Sequence, residues 1–385
     1  MARRQSPMTF VSPTAPASYA WEATDDEVSA RYGLPVERIV RFDLNTSPTP
    51  PDLVAELLAA GRFDTPLSEY PPADYKPLTE AAAARFGVGT DEVMVGAGAD
   101  EILDIVAKVA LRDGARVVIP IPTYAMYRVV SEQRGAQVVA VPRLGVTDGY
   151  ALDLRAIRAA AANAALVWLC SPNNPTGLPE PDGTIATLLA ALAADATAAG
   201  RDAPVVVIDE AYAEFAGTSL VGLRDAYPSL VVVRTASKAY ALAGLRVGFA
   251  VAATPMMERL NPFRSPASIS IVSAALVTAA MRDDAVARAN VERVTRERTR
   301  LRSGLTEAGW SVGESVTNFV LVDLGTVERA AAAAEGLLRH GLVPRTFGPS
   351  HPLADHLRLT VRTEDEDDRL IAAAHDIELP PEETP

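Results

Sequence analysis

Residues 205–212 read VVVIDEAY, in which four apolar residues are followed directly by two acids. Such a short, continuous run of β-branched residues is typical of a strand that is buried on both faces of a parallel sheet. Similar runs alternate with longer helical patterns, at residues 93–95, 117–119, 138–141, 166–169, 230–233 and 247–251. The pattern therefore predicts an α/β fold with a mostly parallel sheet flanked by helices.

The two ends of the chain differ from this alternating region. About the first 18 residues are rich in Pro, Ser and Thr, which indicates an arm. A long polar helix at about residues 283–308 is typical of a connector into a smaller α/β domain, which the strand-like segment 38–44 could join. In that domain we predict strands at 318–322 and 357–361 and helices at 327–340 and 364–374. The predicted parts are an N-terminal arm with part of the small domain, a large domain and a small C-terminal domain, at residues 1–45, 46–275 and 276–385.

Composition and charge argue against several classes of protein. The 36 basic and 49 acidic residues give a formal net charge of −13, which disfavours non-specific binding to nucleic acid or to an anionic membrane. Cys170 is the only cysteine, so no disulfide forms within the chain, as is usual in a reducing compartment. We find no signal-peptide pattern and no apolar run of membrane-spanning length. We therefore expect a cytoplasmic protein with neither nucleic-acid nor membrane partners.

Three polar stretches follow strands of the predicted sheet, and they begin at Ser171, Asp209 and Thr235. In open parallel sheets, ligands bind beyond the carboxyl ends of the strands. Strands that are far apart in the sequence would thus bring these three stretches to one edge, where we expect the functional site.

Asp209 comes directly after a fully apolar strand. Burial there would raise the pKa of the carboxyl group unless a cation pairs with it, and a protonated pyridine nitrogen is a suitable cation. Tyr212 could donate a hydrogen bond to an oxygen on the same ring. The alternative for Asp209 is a helix N-cap, a common role for this residue type.

Lys238 lies in residues 235–246, TASKAYALAGLR, among small and apolar neighbours. Partial desolvation makes the neutral amine easier to reach, and a neutral amine forms a Schiff base with an aldehyde. Ser237 and Arg246 could hold an anionic group nearby. A lone lysine in a loop is more often a surface residue, so this interpretation depends on the other stretches.

Residues 171–177, SPNNPTG, form a stiff, sharply turned loop because two prolines and a glycine restrict the backbone. Stiffness would hold the amide of Asn174 where it can donate to a ring oxygen. Seven turn-forming residues in this order are unusual for an ordinary turn, so this stretch is a specific signal.

Residues 96–101, GAGADE, follow a strand and open a helix. Small residues there let backbone N–H groups approach a phosphate, although a capped helix is an equally good interpretation. The stretch lacks the third glycine of a dinucleotide fingerprint and the Gly-Lys-Ser/Thr of a P-loop, so a nucleotide-binding protein is disfavoured. Tyr124, beyond the strand at 117–119, could stack on a flat ring, although core packing is commoner for tyrosine.

Together these stretches match the needs of pyridoxal 5′-phosphate: an amine for its aldehyde, an acid for its ring nitrogen, donors for its hydroxyl and phosphate, and an aromatic ring to stack on it. The chain resembles the fold-type I aminotransferases, and most closely the histidinol-phosphate aminotransferase group, from about Tyr19 to the terminal helix. The motifs that carry this resemblance lie at residues 70–71, 98–101, 122–128, 171–177, 209–215, 235–249 and 357–361.

The resemblance implies roles at the cofactor ring. Lys238 would form the Schiff base with the cofactor, and Asp209 would pair with the ring nitrogen. Tyr212 and Asn174 would bond the ring hydroxyl, and Tyr124 would stack on the ring.

It also implies how the cofactor phosphate is bound. Tyr70 would reach that phosphate from the partner subunit of a homodimer. The donors from the same subunit would be two backbone amides and three side chains, those of Ala99, Asp100, Thr235, Ser237 and Arg246.

On the substrate side the resemblance implies Tyr19, Asn45, Arg345 and Arg358. Arg358 would form a fork with a substrate carboxylate or with the alcohol end of histidinol phosphate, and Arg345 would bind the distal phosphate. For both arginines the alternative is a surface ion pair, which is more plausible for Arg345.

The chain departs from the family pattern on this substrate side. Residues 45–48 are NTSP where Asn-Glu-Asn-Pro is common, and Arg362 stands where glycine is usual. Residues 265–268 are SPAS in place of a stretch containing more asparagine, and Pro344 precedes Arg345. These differences bear on the substrate more than on the cofactor chemistry.

We therefore predict a transaminase of histidine biosynthesis that converts histidinol phosphate and 2-oxoglutarate to imidazole acetol phosphate and glutamate. Two alternatives have similar motifs: an aromatic or broad-specificity amino-acid aminotransferase, and a decarboxylase acting on phosphothreonine. A cofactor-binding regulatory module is a further alternative. Such modules usually carry a DNA-binding domain, and the segment before Tyr19 is too short for a helix-turn-helix.

Overall fold

The computed structural model describes residues 18–61 and 63–381, so the predicted arm up to residue 17 lies outside the described residues. The strands are β1 Val40–Arg41, β2 Val93–Gly96, β3 Arg116–Ile121, β4 Gln137–Pro142, β5 Leu166–Cys170, β6 Val205–Asp209, β7 Leu230–Thr235, β8 Gly248–Ala252, β9 Ser311–Val312, β10 Phe319–Asp323, β11 Leu342–Val343 and β12 His356–Thr360. The α-helices are α1 Asp25–Tyr32, α2 Asp52–Ala60, α3 Lys76–Phe86, α4 Gly98–Ala110, α5 Met126–Glu132, α6 Leu154–Ala160, α7 Thr184–Ala198, α8 Ala213–Ala216, α9 Thr254–Leu260, α10 Ile271–Arg282, α11 Asp284–Glu307, α12 Val327–Arg339 and α13 Glu364–Asp376.

The large sheet contains seven strands in the order β2-β8-β7-β6-β5-β3-β4. Strands β7, β6, β5, β3 and β4 pair in parallel, as the continuous apolar runs predict. Strand β8 is antiparallel to both of its neighbours, β2 and β7. Since β5, β6 and β7 are adjacent, the three polar stretches that follow them emerge at one edge of the sheet.

Both faces of this sheet are buried, because alternate side chains of each strand enter different apolar clusters. Val206 and Ile208 of β6 join a cluster that extends through α3 and α7. Val205 and Val207 of the same strand join the opposite cluster, which includes α4 and α9. This two-sided burial explains why the strand has no polar residue until Asp209.

A second, antiparallel sheet has the order β12-β10-β9 and packs with α11 and α12, and α13 packs against these two helices. The N-terminal strand β1 pairs in parallel with β11, and the amide of Thr360 donates to the carbonyl of Phe42, so this segment lies against the C-terminal part. The strand predicted for residues 38–44 was too long, because a 3₁₀ turn occupies Val36–Arg38 and the backbone turns at Asn45, which has a φ of 53°. The three-part division of the chain stays a prediction.

In the described part of the chain, none of the helices combines the length and the apolar character that crossing a membrane requires.

Candidate active site

A cavity of about 670 Å³ opens at the carboxyl ends of β5, β6 and β7. It brings together predicted residues from across the chain: Tyr19, Asn45, Ala99, Asp100, Tyr124, Asn174, Asp209, Tyr212, Thr235, Ser237, Lys238, Arg246 and Arg358. A second cavity of about 660 Å³ adjoins it through Tyr19, Tyr124, Asn174 and Arg358, and contains Arg345. Tyr70 does not line either cavity, and 88% of it is exposed.

Lys238 lies just past the end of β7, and its side chain reaches the first cavity. Its Nζ donates to the carbonyl oxygens of Asn45 at 2.9 Å and Leu44 at 3.4 Å, and lies 5.8 Å from the ring centre of Tyr212. Burial, followed by the positive charge of Arg358, lowers the pKa of Lys238 to about 7. Near neutral pH a large fraction of this amine is therefore uncharged and able to attack a carbonyl carbon.

Asp209 is the last residue of β6 and is fully enclosed. Its Oδ2 accepts from the Tyr127 hydroxyl at 2.9 Å, and its Oδ1 accepts from the amide of Ala211 at 3.0 Å. Burial raises the pKa of Asp209 to about 6, while these two hydrogen bonds favour the charged form. The next helix, α8, has Tyr212 at its N-cap, so Asp209 is not the cap of that helix.

Tyr127 is the residue that positions Asp209, and it is itself held from two sides. Its ring stacks on Trp168 with centroids 5.3 Å apart and planes 7° apart. Its carbonyl accepts from the Ser131 hydroxyl at 2.6 Å, and that hydroxyl oxygen accepts from Trp168 Nε1 at 3.0 Å. The Asp209 carboxylate therefore has little freedom to turn away from the cavity.

Asn174 and Arg358 are joined directly. The Arg358 Nη1 donates to Asn174 Oδ1 at 2.6 Å, and Nη2 donates to the carbonyl of Asp43. Because its oxygen is occupied, the Asn174 amide can offer its NH₂ group to the cavity. The Nε of Arg358 is buried without a hydrogen-bond partner in the described structure, a state that it shares with the Nε atoms of four other arginines.

Asn45 connects the N-terminal segment to Tyr212 and Lys238. Its amide donates to the Tyr212 hydroxyl at 2.9 Å, and its carbonyl accepts from Lys238. Its backbone amide donates to the Thr360 hydroxyl at 2.9 Å. Since the Tyr212 oxygen already accepts a bond, its proton is free to be donated into the cavity, and burial raises the pKa of Tyr212, which keeps that proton in place.

The start of α4 forms an anion cradle. The N-cap of this helix, Ala97, provides no side-chain acceptor, but its amide donates to the Glu101 carboxylate in the first turn at 2.5 Å, so the helix start is partly capped from within. A Cβ on Gly98, whose φ is +82°, would lie 2.6 Å from Arg246 Nη2, and a Cβ on Gly248 would lie 2.4 Å from the Ala99 amide nitrogen. Only glycine at both positions lets the helix start and Arg246 approach the same small volume.

Two hydroxyl groups face the same cradle from the end of β7. The Thr235 and Ser237 hydroxyl oxygens lie 2.9 Å apart, and the Ser237 amide donates to Thr235 Oγ1 at 3.1 Å. Arg246 Nη2 bonds Asp100 Oδ2 at 3.2 Å. Tyr124 lies beside this group, with its hydroxyl 3.2 Å from Asp100 Oδ1. These contacts hold the side chains of Arg246 and Tyr124 against Asp100, in the first turn of α4.

The SPNNPTG loop is held from beneath by an ion pair that the sequence does not suggest. Arg143 Nη1 and Glu180 Oε1 lie 2.5 Å apart and both side chains are almost fully buried. Arg143 Nη2 also donates to Asn173 Oδ1 at 3.2 Å, and the amide of Glu180 donates to Ser171 Oγ at 3.0 Å. This pair therefore stabilises the loop conformation that presents Asn174.

Sequence reasoning missed three residues, of which Asp43 and Glu22 line the cavities and Tyr127 acts through Asp209. Tyr127 lies in the first turn of α5, and nothing in its local sequence identifies Asp209 as its partner. Asp43 bonds Arg358 through its backbone carbonyl oxygen. Because every residue has such an oxygen, the residue type could not identify this contact. Glu22 lies beside Arg345 in the second cavity.

Residues 40–373 match the family described as Aminotransferase class I and II. The histidinol-phosphate aminotransferase of Roseiflexus castenholzii is 34% identical over 355 residues, which cover 90% of this chain and 91% of that protein. The histidinol-phosphate aminotransferase of Thermococcus gammatolerans is 35% identical over 88% of this chain and 92% of its own length.

Solved structures agree with these relationships. Histidinol-phosphate aminotransferase from Sinorhizobium meliloti in complex with pyridoxal 5′-phosphate superposes with a TM-score of 0.84 at 26% identity, over 97% of this chain and 98% of that chain. Aspartate aminotransferase from Thermus thermophilus with maleate shares the fold, with a TM-score of 0.72 at 24% identity over 92% and 97% of the two chains. The predicted fold class is confirmed, and the chain belongs to the class I and II aminotransferase family.

Proposed function

We propose that this protein is a pyridoxal-phosphate-dependent aminotransferase that uses histidinol phosphate as amino donor and 2-oxoglutarate as acceptor. One observation carries the chemistry: Lys238, Asp209 and the anion cradle at the start of α4 line a single cavity. The names of the curated relatives support the donor, because both are histidinol-phosphate aminotransferases at 34% and 35% identity.

The residues around the cavity fit pyridoxal 5′-phosphate. Lys238 would hold its aldehyde carbon, Asp209 its ring nitrogen, and Asn174 and Tyr212 its hydroxyl. The phosphate would lie in the cradle, where a Cβ at Gly98 would displace Arg246 and a Cβ at Gly248 would displace the start of α4. When bound, the cofactor supplies an electron-accepting ring that stabilises negative charge at the substrate Cα. Its phosphate donors would be Ala99, Asp100, Thr235, Ser237 and Arg246.

Three side chains would have separate roles in transamination. Arg358, which lines both cavities, would hold the carboxylate or alcohol end of the substrate. Asp209 would stay charged beside the ring nitrogen and favour its protonated form. The Lys238 amine, whose pKa burial lowers to about 7, would take up the proton of the substrate Cα and give it back to the product. The residues that hold the substrate thus orient the Cα–H bond toward this amine.

A substrate panel tests the choice of donor. We expect wild-type protein to transaminate histidinol phosphate faster than phenylalanine at equal low concentration, and to release no CO₂ from phosphothreonine. Because Arg345 would bind the distal phosphate, Arg345→Ala should raise KM for histidinol phosphate about tenfold or more and leave phenylalanine turnover nearly unchanged. The exposed Arg155 provides the matched control, Arg155→Ala, which should alter neither donor. An equal loss for phenylalanine would contradict the phosphate role.

We also propose a homodimer in which Tyr70 completes the site of the partner subunit. Its exposure of 88%, away from the cavity of its own subunit, supports a role in another chain. Light scattering should give twice the mass of the chain. Tyr70→Phe should weaken cofactor retention, and a mixed dimer of Tyr70→Phe and Lys238→Ala subunits should contain one fully native site. If Tyr70 acted within its own subunit, neither site of the mixed dimer would be native and no wild-type affinity would return.

The buried, unpaired thiol of Cys170 supports the cytoplasmic location that we predict from the composition. Cell fractionation of the source organism tests it, and recovery of the protein outside the cytoplasmic fraction would contradict it.

A further inference from the structure

The second cavity contains an acidic side chain at the place where a phosphate is expected. The Glu22 carboxylate lies 3.5 Å from Arg345 Nη1, and the two side chains are only 16% and 15% exposed. Glu22 Oε1 also accepts from the amide of Thr346 at 2.8 Å and from its hydroxyl at 2.9 Å. Because Thr346 anchors it independently of Arg345, this carboxylate is a fixed charge that an incoming ligand does not readily displace.

Arg345 keeps part of its guanidinium available. Its Nη1 donates a hydrogen bond to the carbonyl of Ala20 at 2.7 Å. The guanidinium carbon lies 5.3 Å from the ring centre of Tyr19. Across the described residues, no hydrogen bond is found for its Nε and Nη2 that would compete with a ligand. Arg345 and Arg358 also pair through their backbones, at 3.0 and 3.1 Å. A substrate held at Arg358 therefore directs its distal end toward Arg345 and Glu22.

The remaining charges that face this cavity are few. Arg128 pairs with Glu132 at 2.8 Å, one turn along α5. Burial lowers the pKa of His351, so this ring is mostly uncharged at neutral pH. The Glu22 carboxylate thus offsets the charge of Arg345, the arginine expected to meet the distal group.

We propose that Glu22 is a specificity-determining residue, which weakens the binding of dianionic distal groups at Arg345 and thereby lets donors with uncharged side chains compete. The proposal rests on the proposed function, because it takes Arg345 as the residue that meets the distal end of the donor. A fixed carboxylate a few ångströms from a phosphate weakens the binding of that phosphate by Coulomb repulsion. The surrounding protein screens this repulsion only in part. The same carboxylate has little effect on a neutral aromatic ring.

Glu22→Gln tests this, since it keeps the shape and the bonds to Thr346 and removes only the charge. KM for histidinol phosphate is expected to fall about three- to tenfold, while KM for phenylalanine changes less than about twofold. The dissociation constant of inorganic phosphate, measured by calorimetry on the holoenzyme, should fall in parallel. The differences between Glu22→Gln and wild-type protein, in KM for histidinol phosphate and in the dissociation constant of phosphate, should shrink as ionic strength rises from about 0.05 M to about 0.5 M. The control Asp26→Asn removes one exposed negative charge from α1 and should change none of these values.

Three results would overturn the proposal. Unchanged KM values for both donors would show that the charge of Glu22 does not reach the ligand. A rise in KM for both donors would show that Glu22 only anchors the segment around Tyr19. A selective rise for histidinol phosphate would show that Glu22 helps Arg345 to bind phosphate. Failure of the proposed function is distinguishable, because wild-type protein would then fail to transaminate histidinol phosphate at all.

Discussion

Lys238→Ala is expected to abolish covalent attachment of the cofactor and to lower kcat with histidinol phosphate by about 10⁴-fold. The variant loses both the amine that binds the aldehyde and the group that moves the proton, and the nearby Asn45 and Leu44 contribute only carbonyl oxygens to this place. The measurement is the visible absorbance of the purified protein together with its steady-state rate.

The matched control is Lys76→Ala on α3, whose amine is exposed and lies 3.9 Å from Glu80. It should keep both the absorbance and the rate of the wild type. If the Lys238→Ala protein retained the absorbance of covalently bound cofactor, the role of this lysine would have to be given to another residue.

The same residue predicts a pH dependence. Burial and Arg358 lower the pKa of Lys238 from 10.5 to about 7, and only the uncharged amine attacks the aldehyde. In cofactor-free wild-type protein, the rate of attachment should therefore rise with pH through about 7 and level off above it. A midpoint near the ordinary value of a lysine would show that the amine is not desolvated before the cofactor binds.

Asp209→Asn is expected to lower kcat by about 10²–10³-fold, because a neutral amide cannot keep the ring nitrogen protonated. The fold should survive, since asparagine has almost the same size and its oxygen can still accept the bond from Tyr127 at this position. Steady-state rates and the affinity for added cofactor are the measurements.

Tyr127→Phe separates the charge of Asp209 from its orientation. It removes the one hydrogen bond between these residues and keeps the carboxylate, so a loss of only about fivefold is expected. If both variants lost activity equally, the hydrogen bond and not the charge would account for the role of Asp209.

Much of the cofactor side was predictable because its chemistry follows strands directly. Asn174, Asp209 and Lys238 each lie within a few residues of a continuous apolar run, at Leu166–Cys170, Val205–Asp209 or Leu230–Thr235. An apolar run identifies a buried strand, and a parallel sheet aligns the ends of its strands. Their convergence could thus be inferred without coordinates.

The direction of β8 could not be inferred in this way. Gly248–Ala252 is as apolar as its neighbours, and a fully buried strand has the same composition whichever way it runs. Its antiparallel pairing brings Gly248 against the start of α4, where it leaves room for the anion cradle. The strand predicted for residues 38–44 was too long for a related reason, because its pairing with β11 covers Val40–Arg41 and the amide of Phe42.

The sequence by itself determined the α/β fold and the positions of most strands and helices, because hydrophobic periodicity and turn chemistry are local properties, and it predicted most of the residues that line the first cavity. Only the tertiary structure decided which side chains orient these residues and influence their protonation. Tyr127 donates to Asp209 across 82 positions, Arg358 to Asn174 across 184, and Glu22 faces Arg345 from the other end of the chain. Such contacts depend on how separate elements pack, and the residues in them carry no local pattern that names their partners.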